Sequence, residues 1–315
     1  MCIALIDVIH RGFAVLPILC ACIASISLFS EGWMQNYEKA HVHAQQTDKP
    51  LLVAVLGSSL CPWSQRFQEE IVACPEFLDA LEGHFVCAAA RQEQIPQFTG
   101  DIPCILIQSP YGEEIARRTY LPIDSTRYGR LCLESARIFE KCKKLPLETL
   151  PENILEPLYK EAVNASCIDL SQHILSIAMQ QGRMLFAVFE EYKCLVMAGK
   201  RKKDRALRLR EELLGRDPRN IRGMWFQIAY LDFFDRDSKA RELKDVLEPL
   251  VRYIDMFTKV QDPYLWQAEM IASEYLFVHG HAHKAIKYAK KALQKAPLEH
   301  KERVIAALAY MEGAK

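Results

Sequence analysis

Directly behind the run "LLVAVLG", Leu51 to Gly57, the chain carries Cys61-Pro62-Trp63-Ser64. A cysteine reacts as its thiolate. A helix N-terminus favours that form, because unpaired N–H groups and the positive end of the helix dipole face the sulfur. Pro62 suits the first helical position, where its missing N–H costs nothing. The spacing therefore predicts Cys61 at a helix cap, with the N–H groups of Trp63 and Ser64 directed at it. The spacing argues for a lowered thiol pKa and a reactive sulfur, with Ser64 where a second cysteine might be expected. Ser64 is placed to donate a hydrogen bond to the thiolate.

The elements that must hold this cysteine can be read on both sides of it. "GWMQNYEKAHVHAQQTDKP" reads as an amphipathic helix stopped before Lys49-Pro50, and Leu51 to Gly57 as a strand apolar enough to be central. "PWSQRFQEEIVA" reads as a helix with Phe67 and Ile71 as a buried pair, broken at Cys74-Pro75, after which "EFLDALEGH" makes a further short helix. "FVCAAA" is a second strand. "IPCILIQSPYGEEIARR" is a strand, a turn at Ser109-Pro110-Tyr111-Gly112 and a returning strand. A helix opened by Asp124 or Ser125 closes an α/β unit over residues 33–145. "LPLETLPEN" reads as a linker centred on 146–150. From 151 to 315 helical periodicity dominates, interrupted at Gly182, Gly199, Gly215 to Pro218, Asp262-Pro263, Gly280 and Pro297, which predicts nine helices stacked as antiparallel pairs.

Residues 33–145 resemble a thioredoxin-fold domain, in particular the bacterial thioredoxin-like subgroup with a helix before the first central strand. The resemblance rests on Trp33, Ala40, Lys49-Pro50, Leu51 to Gly57, Cys61-Pro62-Trp63-Ser64, Phe85-Val86 and Ile102-Pro103-Cys104-Ile105-Leu106. It implies that Cys61 is the attacking cysteine, that Pro103 is a cis-proline whose loop, with Ile102, faces it, and that Pro62 and Trp63 line a substrate groove. Ser64 stands where that family has its resolving cysteine, Leu60 where it has an aromatic residue, and the first strand lacks the family's buried acid. Those departures suit isomerisation, deglutathionylation or client trapping better than net reduction. Cys104 should point away from the groove by strand alternation, and Cys74 and Cys87 read as buried apolar groups. A bridge between Cys167 and Cys194 is less expected than two free thiols. The last helical pairs resemble degenerate tetratricopeptide repeats. Ala272, Gly280, Ala285, Ala292 and Pro297 fall at or near the small-residue and terminal-proline positions, although Pro218 and Pro297 are not separated by a multiple of the ~34-residue period.

Bulk properties bound the partners. The 315 residues carry 40 basic and 40 acidic side chains, half the chain is hydrophobic, and none of this selects nucleic acid. Eleven cysteines without a CxxC spacing argue against structural zinc, and His279-Gly280-His281-Ala282-His283 has no cysteine or carboxylate at ligand spacing, so neither metal nor cofactor is expected. The cluster Lys200 to Arg205, with Arg208 and Arg210, reads first as a solvated face and second as a surface for an acidic partner. Arg11 followed by the 17-residue run "FAVLPILCACIASISLF" reads as an export signal or N-terminal membrane anchor over residues 1–30. The alternatives are lipidation at Cys22 within "LCAC", cleavage near Ser27, or an uncleaved anchor. The reading is an exported, periplasmic thiol–disulfide exchange protein. Its expected partners are protein clients bearing thiols or disulfides, with small thiols such as glutathione as co-reactants. The alternative is an adaptor or chaperone whose helices bind clients.

Overall fold

Six consecutive buried residues, Leu51–Leu56, form β1, which lies inside a four-stranded sheet rather than at an edge. Apolar side chains on both faces are what a strand covered from both sides requires. The computed structural model describes residues 32–313 other than Ser59, Glu82, Gln97, Ala240, Arg241 and Gln261. The expected export segment, including Cys22 and Ser27, lies outside the described residues. Among the described residues no helix is long and apolar enough to cross a membrane.

The order is α1 (Tyr37–Thr47), β1, α2 (Pro62–Phe67, continued as a wider turn over Gln68–Val72), α3 (Pro75–Ala80), β2 (Val86–Arg91), β3 (Cys104–Gln108), β4 (Glu114–Thr119) and α4 (Ser125–Lys143). The strands lie in the order β2-β1-β3-β4, with β1 parallel to β2 and antiparallel to β3, and β4 antiparallel to β3. Ahead of α1, Met34 bridges to Ala88 and pairs the outer edge of β2. Alternation sends Leu51, Val53, Val55, Val86, Ala88, Ala90, Cys104 and Leu106 into one cluster under Ala40 and Ala44 of α1. The Asp124 carboxylate accepts the Arg127 N–H at 2.8 Å, so the cap of α4 is where the sequence put it. The β3–β4 turn closes through Ser109 and Glu113 at 2.7 Å, with Gly112 at φ 88°.

Nine helices follow among the described residues: α5 (Glu152–Asn164), α6 (Ile168–Gln180), α7 (Leu185–Met197), α8 (Asp204–Arg216), α9 (Met224–Asp237), α10 (Leu243–Phe257), α11 (Leu265–Val278), α12 (Ala282–Lys295) and α13 (Leu298–Gly313). The expected boundary at 146–150 needs correction. The chain divides into compact units after Gln181, and the first helical pair belongs with the sheet. The cause is packing: α6 lies on β4 and α5 on α4. The fully buried Ser135 of α4 donates from its hydroxyl to the Ala165 carbonyl at 2.6 Å, and the Cys167 thiol donates to the Ser135 carbonyl at 3.5 Å. Leu147, in the supposed linker, is itself buried.

In the second unit α7 packs with α8, α9 with α10 and α11 with α12, and α13 covers α12. Ala272, Ala285, Ala289 and Ala292 are completely buried where α11 meets α12, which lets two backbones approach closely. The expected stack of helical pairs is thus present in this unit.

Candidate active site

Cys61 occupies the cap position of α2, with extended dihedrals (φ −76°, ψ 115°) and Pro62 as the first helical residue. Its N–H donates to the Ser58 carbonyl at 2.9 Å, and its carbonyl accepts the first helical hydrogen bond, from Gln65 at 3.1 Å. No fully formed capping hydrogen bond reaches the sulfur. The donors around it still hold the thiol below the ordinary cysteine value: the Ser64 N–H contributes most, then the Ser64 hydroxyl, with a smaller contribution from the Trp63 N–H, against partial desolvation. Cys61 is partly exposed, so this thiol is both biased toward the thiolate and reachable.

Ser64 is buried, and its Oγ accepts the Gly57 N–H at 3.1 Å. A hydroxyl has one proton to give, so accepting from Gly57 leaves that proton for Cys61. Gly57 is glycine for a local reason. A Cβ there would lie 2.9 Å from Ile102 Cδ1 and 3.1 Å from Ser64 Oγ, too close for either neighbour to stay where it is. The end of β1, the start of α2 and the Ile102-Pro103 loop therefore converge on one point.

The Ile102–Pro103 peptide bond is cis. The Pro103 carbonyl accepts the Tyr120 N–H at 3.1 Å. The Tyr120 ring meets Phe67 edge-on at 5.4 Å and Trp63 at 6.5 Å, and its hydroxyl donates to Glu70, which also receives Arg66 at 2.5 Å. Around this point Leu60 is 85 %, Trp63 58 % and Ile102 36 % exposed, so an apolar surface lies open beside a reactive sulfur.

All six expected site residues, Cys61, Pro62, Trp63, Ser64, Ile102 and Pro103, thus lie on the α2 start or the loop tied to it. Tyr120 and Gly57 were missed. An aromatic residue just past β4 and a glycine ending an apolar strand were the only signals they offered, and neither has meaning without the tertiary contact.

Each of the other described cysteines is a free thiol, not bridged to Cys61. Cys74 stands at the far end of the same helical segment, on the order of 15–20 Å away at ~1.5 Å rise per residue, whereas bridged Cα atoms lie within ~7 Å. The Cys74 thiol is engaged with Glu76 at 2.8 Å and Ser125 at 3.1 Å. Cys104 is fully buried under α1, and burial pushes its thiol up to about 12, as it does for Cys87, Cys132 and Cys167. Cys142 and Cys194 are also free thiols.

Residues 32–110 match the thioredoxin-like family. Across most of its length the chain is similar to the "Thioredoxin-related protein DsbJ" of Chlamydia pneumoniae, at 24 % identity over 304 residues, covering 89 % of this chain and 87 % of that protein. A solved structure described as "DsbH Oxidoreductase" aligns with 35 % of this chain and 89 % of its own, at 19 % identity and a TM-score of 0.31.

Proposed function

We propose, on the premise that the N-terminal α/β domain belongs to the thioredoxin-like family, that this protein is a thiol–disulfide oxidoreductase working through the single nucleophile Cys61. The observation that carries this reading is the pairing of a lowered, accessible Cys61 thiol with a buried Ser64 whose proton is free for the sulfur. A relative matched over 89 % of the chain is described as thioredoxin-related, which supports the reading.

The reaction runs as two exchanges. The Cys61 thiolate attacks one sulfur of a client disulfide, forming a Cys61–client disulfide and expelling the other client sulfur as thiolate. A second thiolate, from the client or from a small thiol such as glutathione, then attacks the client sulfur. It takes that sulfur into a new disulfide and returns Cys61 as thiolate. When the client supplies both sulfurs no electrons are gained or lost, which is isomerisation. The exposed Leu60, Trp63 and Ile102 would receive apolar client residues. Export, suggested by the apolar segment after Arg11, would place the enzyme where disulfides persist. The later helices, with their resemblance to tetratricopeptide repeats, would recruit clients.

The test is recovery of activity by scrambled ribonuclease, together with trapping of mixed disulfides, for the wild type and Cys61→Ala. Loss of both in the variant supports the proposal. Equal recovery in both proteins would leave the helices as the functional part, as an adaptor.

A further inference from the structure

In the second unit α8, α9 and α10, with the turn before α8, enclose a cleft of about 270 Å³. Four guanidinium groups line it, Arg201, Arg210, Arg236 and Arg252, against two carboxylates, Asp232 and Glu248. The carboxylates are already taken. Arg201 lies 3.1 Å from Asp232 and 3.8 Å from Asp235, and Arg236 lies 2.9 Å from Glu248 while also donating to the Asp245 carbonyl at 2.7 Å. Among the described residues no carboxylate pairs with Arg210 or Arg252. Arg210 lies near the Tyr192 hydroxyl, which forms no hydrogen bond, and acts on Asp232 only at longer range. The cleft therefore keeps two uncommitted cations, and its remaining wall includes Leu214, Trp225, Tyr253 and Met256.

We propose that this cleft binds an acidic side chain of a protein segment, its carboxylate received by Arg210 and Arg252 and its flanking apolar residues by the Trp225–Met256 wall. Arginine's planar fork matches a carboxylate through two parallel N–H donors. The cleft lies at the small end of the roughly 300–1,000 Å³ range of ligand sites, and its arginines beside an apolar wall fit a carboxylate flanked by apolar residues. The basic run from Lys200 thus reads differently in three dimensions. Arg201 and Arg210 turn inward, whereas Lys202, Lys203 and Arg205 stay in solvent. This inference does not rest on the chemistry of Cys61.

The experiment is calorimetric titration of the full chain with the capped peptide Leu-Glu-Glu-Leu, its glutamine counterpart Leu-Gln-Gln-Leu, and free glutarate. The peptides contain no sulfur, so the outcome is separate from that of the Cys61 test. The expected result is saturable binding of the glutamate peptide that weakens several-fold as salt rises from low to about 0.3 M, with no binding of the glutamine peptide. Arg252→Met, at an exposed position, should weaken binding about tenfold with thermal stability unchanged, and Arg210→Met should do at least as much. Equal binding of the two peptides would overturn the proposal, as would wild-type affinity in both variants. Glutarate binding as tightly as the peptide would overturn the assignment to a protein segment and give the cleft to a free dicarboxylate.

Discussion

Ser64 accepts the backbone N–H of Gly57 at 3.1 Å. That bond uses the hydroxyl as an acceptor and leaves its proton available to Cys61, whose thiol is held below its ordinary value first by the Ser64 N–H and then by the Ser64 hydroxyl. The consequences below follow from it and from the contacts around it.

Replacing Ser64 by alanine removes a donor from the thiolate and takes the partner from the part-buried Gly57 N–H. The Cys61 thiol should rise toward the ordinary cysteine range, and stability should fall by about 1 kcal/mol, the usual net worth of one hydrogen bond. Alkylation rate against pH and urea unfolding measure the two effects separately.

Ser64→Cys places a second thiol where the hydroxyl already reaches Cys61. That variant should gain net insulin reduction in the presence of dithiothreitol and accumulate less mixed disulfide with clients, because the new thiol can resolve it internally. Unchanged trapping and no reduction would show that position 64 lies too far from the sulfur.

The parts of this site that lie together in sequence were legible there. The apolar run, the Cys-Pro pair, Ser64 and the Ile-Pro dipeptide each announce a local backbone state, and the structure has a strand, a cap, a first turn and a cis bond at those positions. What was not legible depends on pairing across distance. Tyr120 matters because β4 ends beside α2, and Gly57 because Ile102 arrives from 45 positions later. The prolines around 146–151 read as a linker because periodicity cannot say which surface an apolar helix face will meet, and α5 and α6 meet the sheet unit. Arg201 read as solvated because its partner Asp232 is a helix away.

Tyr120 donates to Glu70, and that bond, ahead of Arg66, holds the Glu70 carboxyl below its ordinary value. A carboxyl depressed in the folded state stabilises the protein above its unfolded value, ~4.3 for glutamate, and that contribution is lost as pH falls through the lower folded value. Tyr120→Phe should raise the Glu70 titration toward the ordinary range. The gap in thermal midpoint between wild type and variant should be full near pH 7 and narrow below about pH 4. A gap independent of pH would assign the effect of Tyr120 to ring packing alone.

The unit boundary after Gln181 predicts how the chain can be cut. A fragment of residues 32–181 should unfold cooperatively. One ending at 145 should be markedly less stable, because it strips the cover from Ser135 and from β4. Within the longer fragment, Leu155→Ala, at a fully buried position, should cost about 2–5 kcal/mol.

The central claim is that Cys61 is an activated nucleophile, and the pH dependence of its alkylation in the full chain, followed by peptide mapping, tests it most directly. Burial holds Cys87, Cys104, Cys132 and Cys167 at about 12, so they stay silent across the range scanned. A midpoint clearly below the ~8.5 of an ordinary cysteine is the predicted result. A midpoint at or above that value would contradict the account.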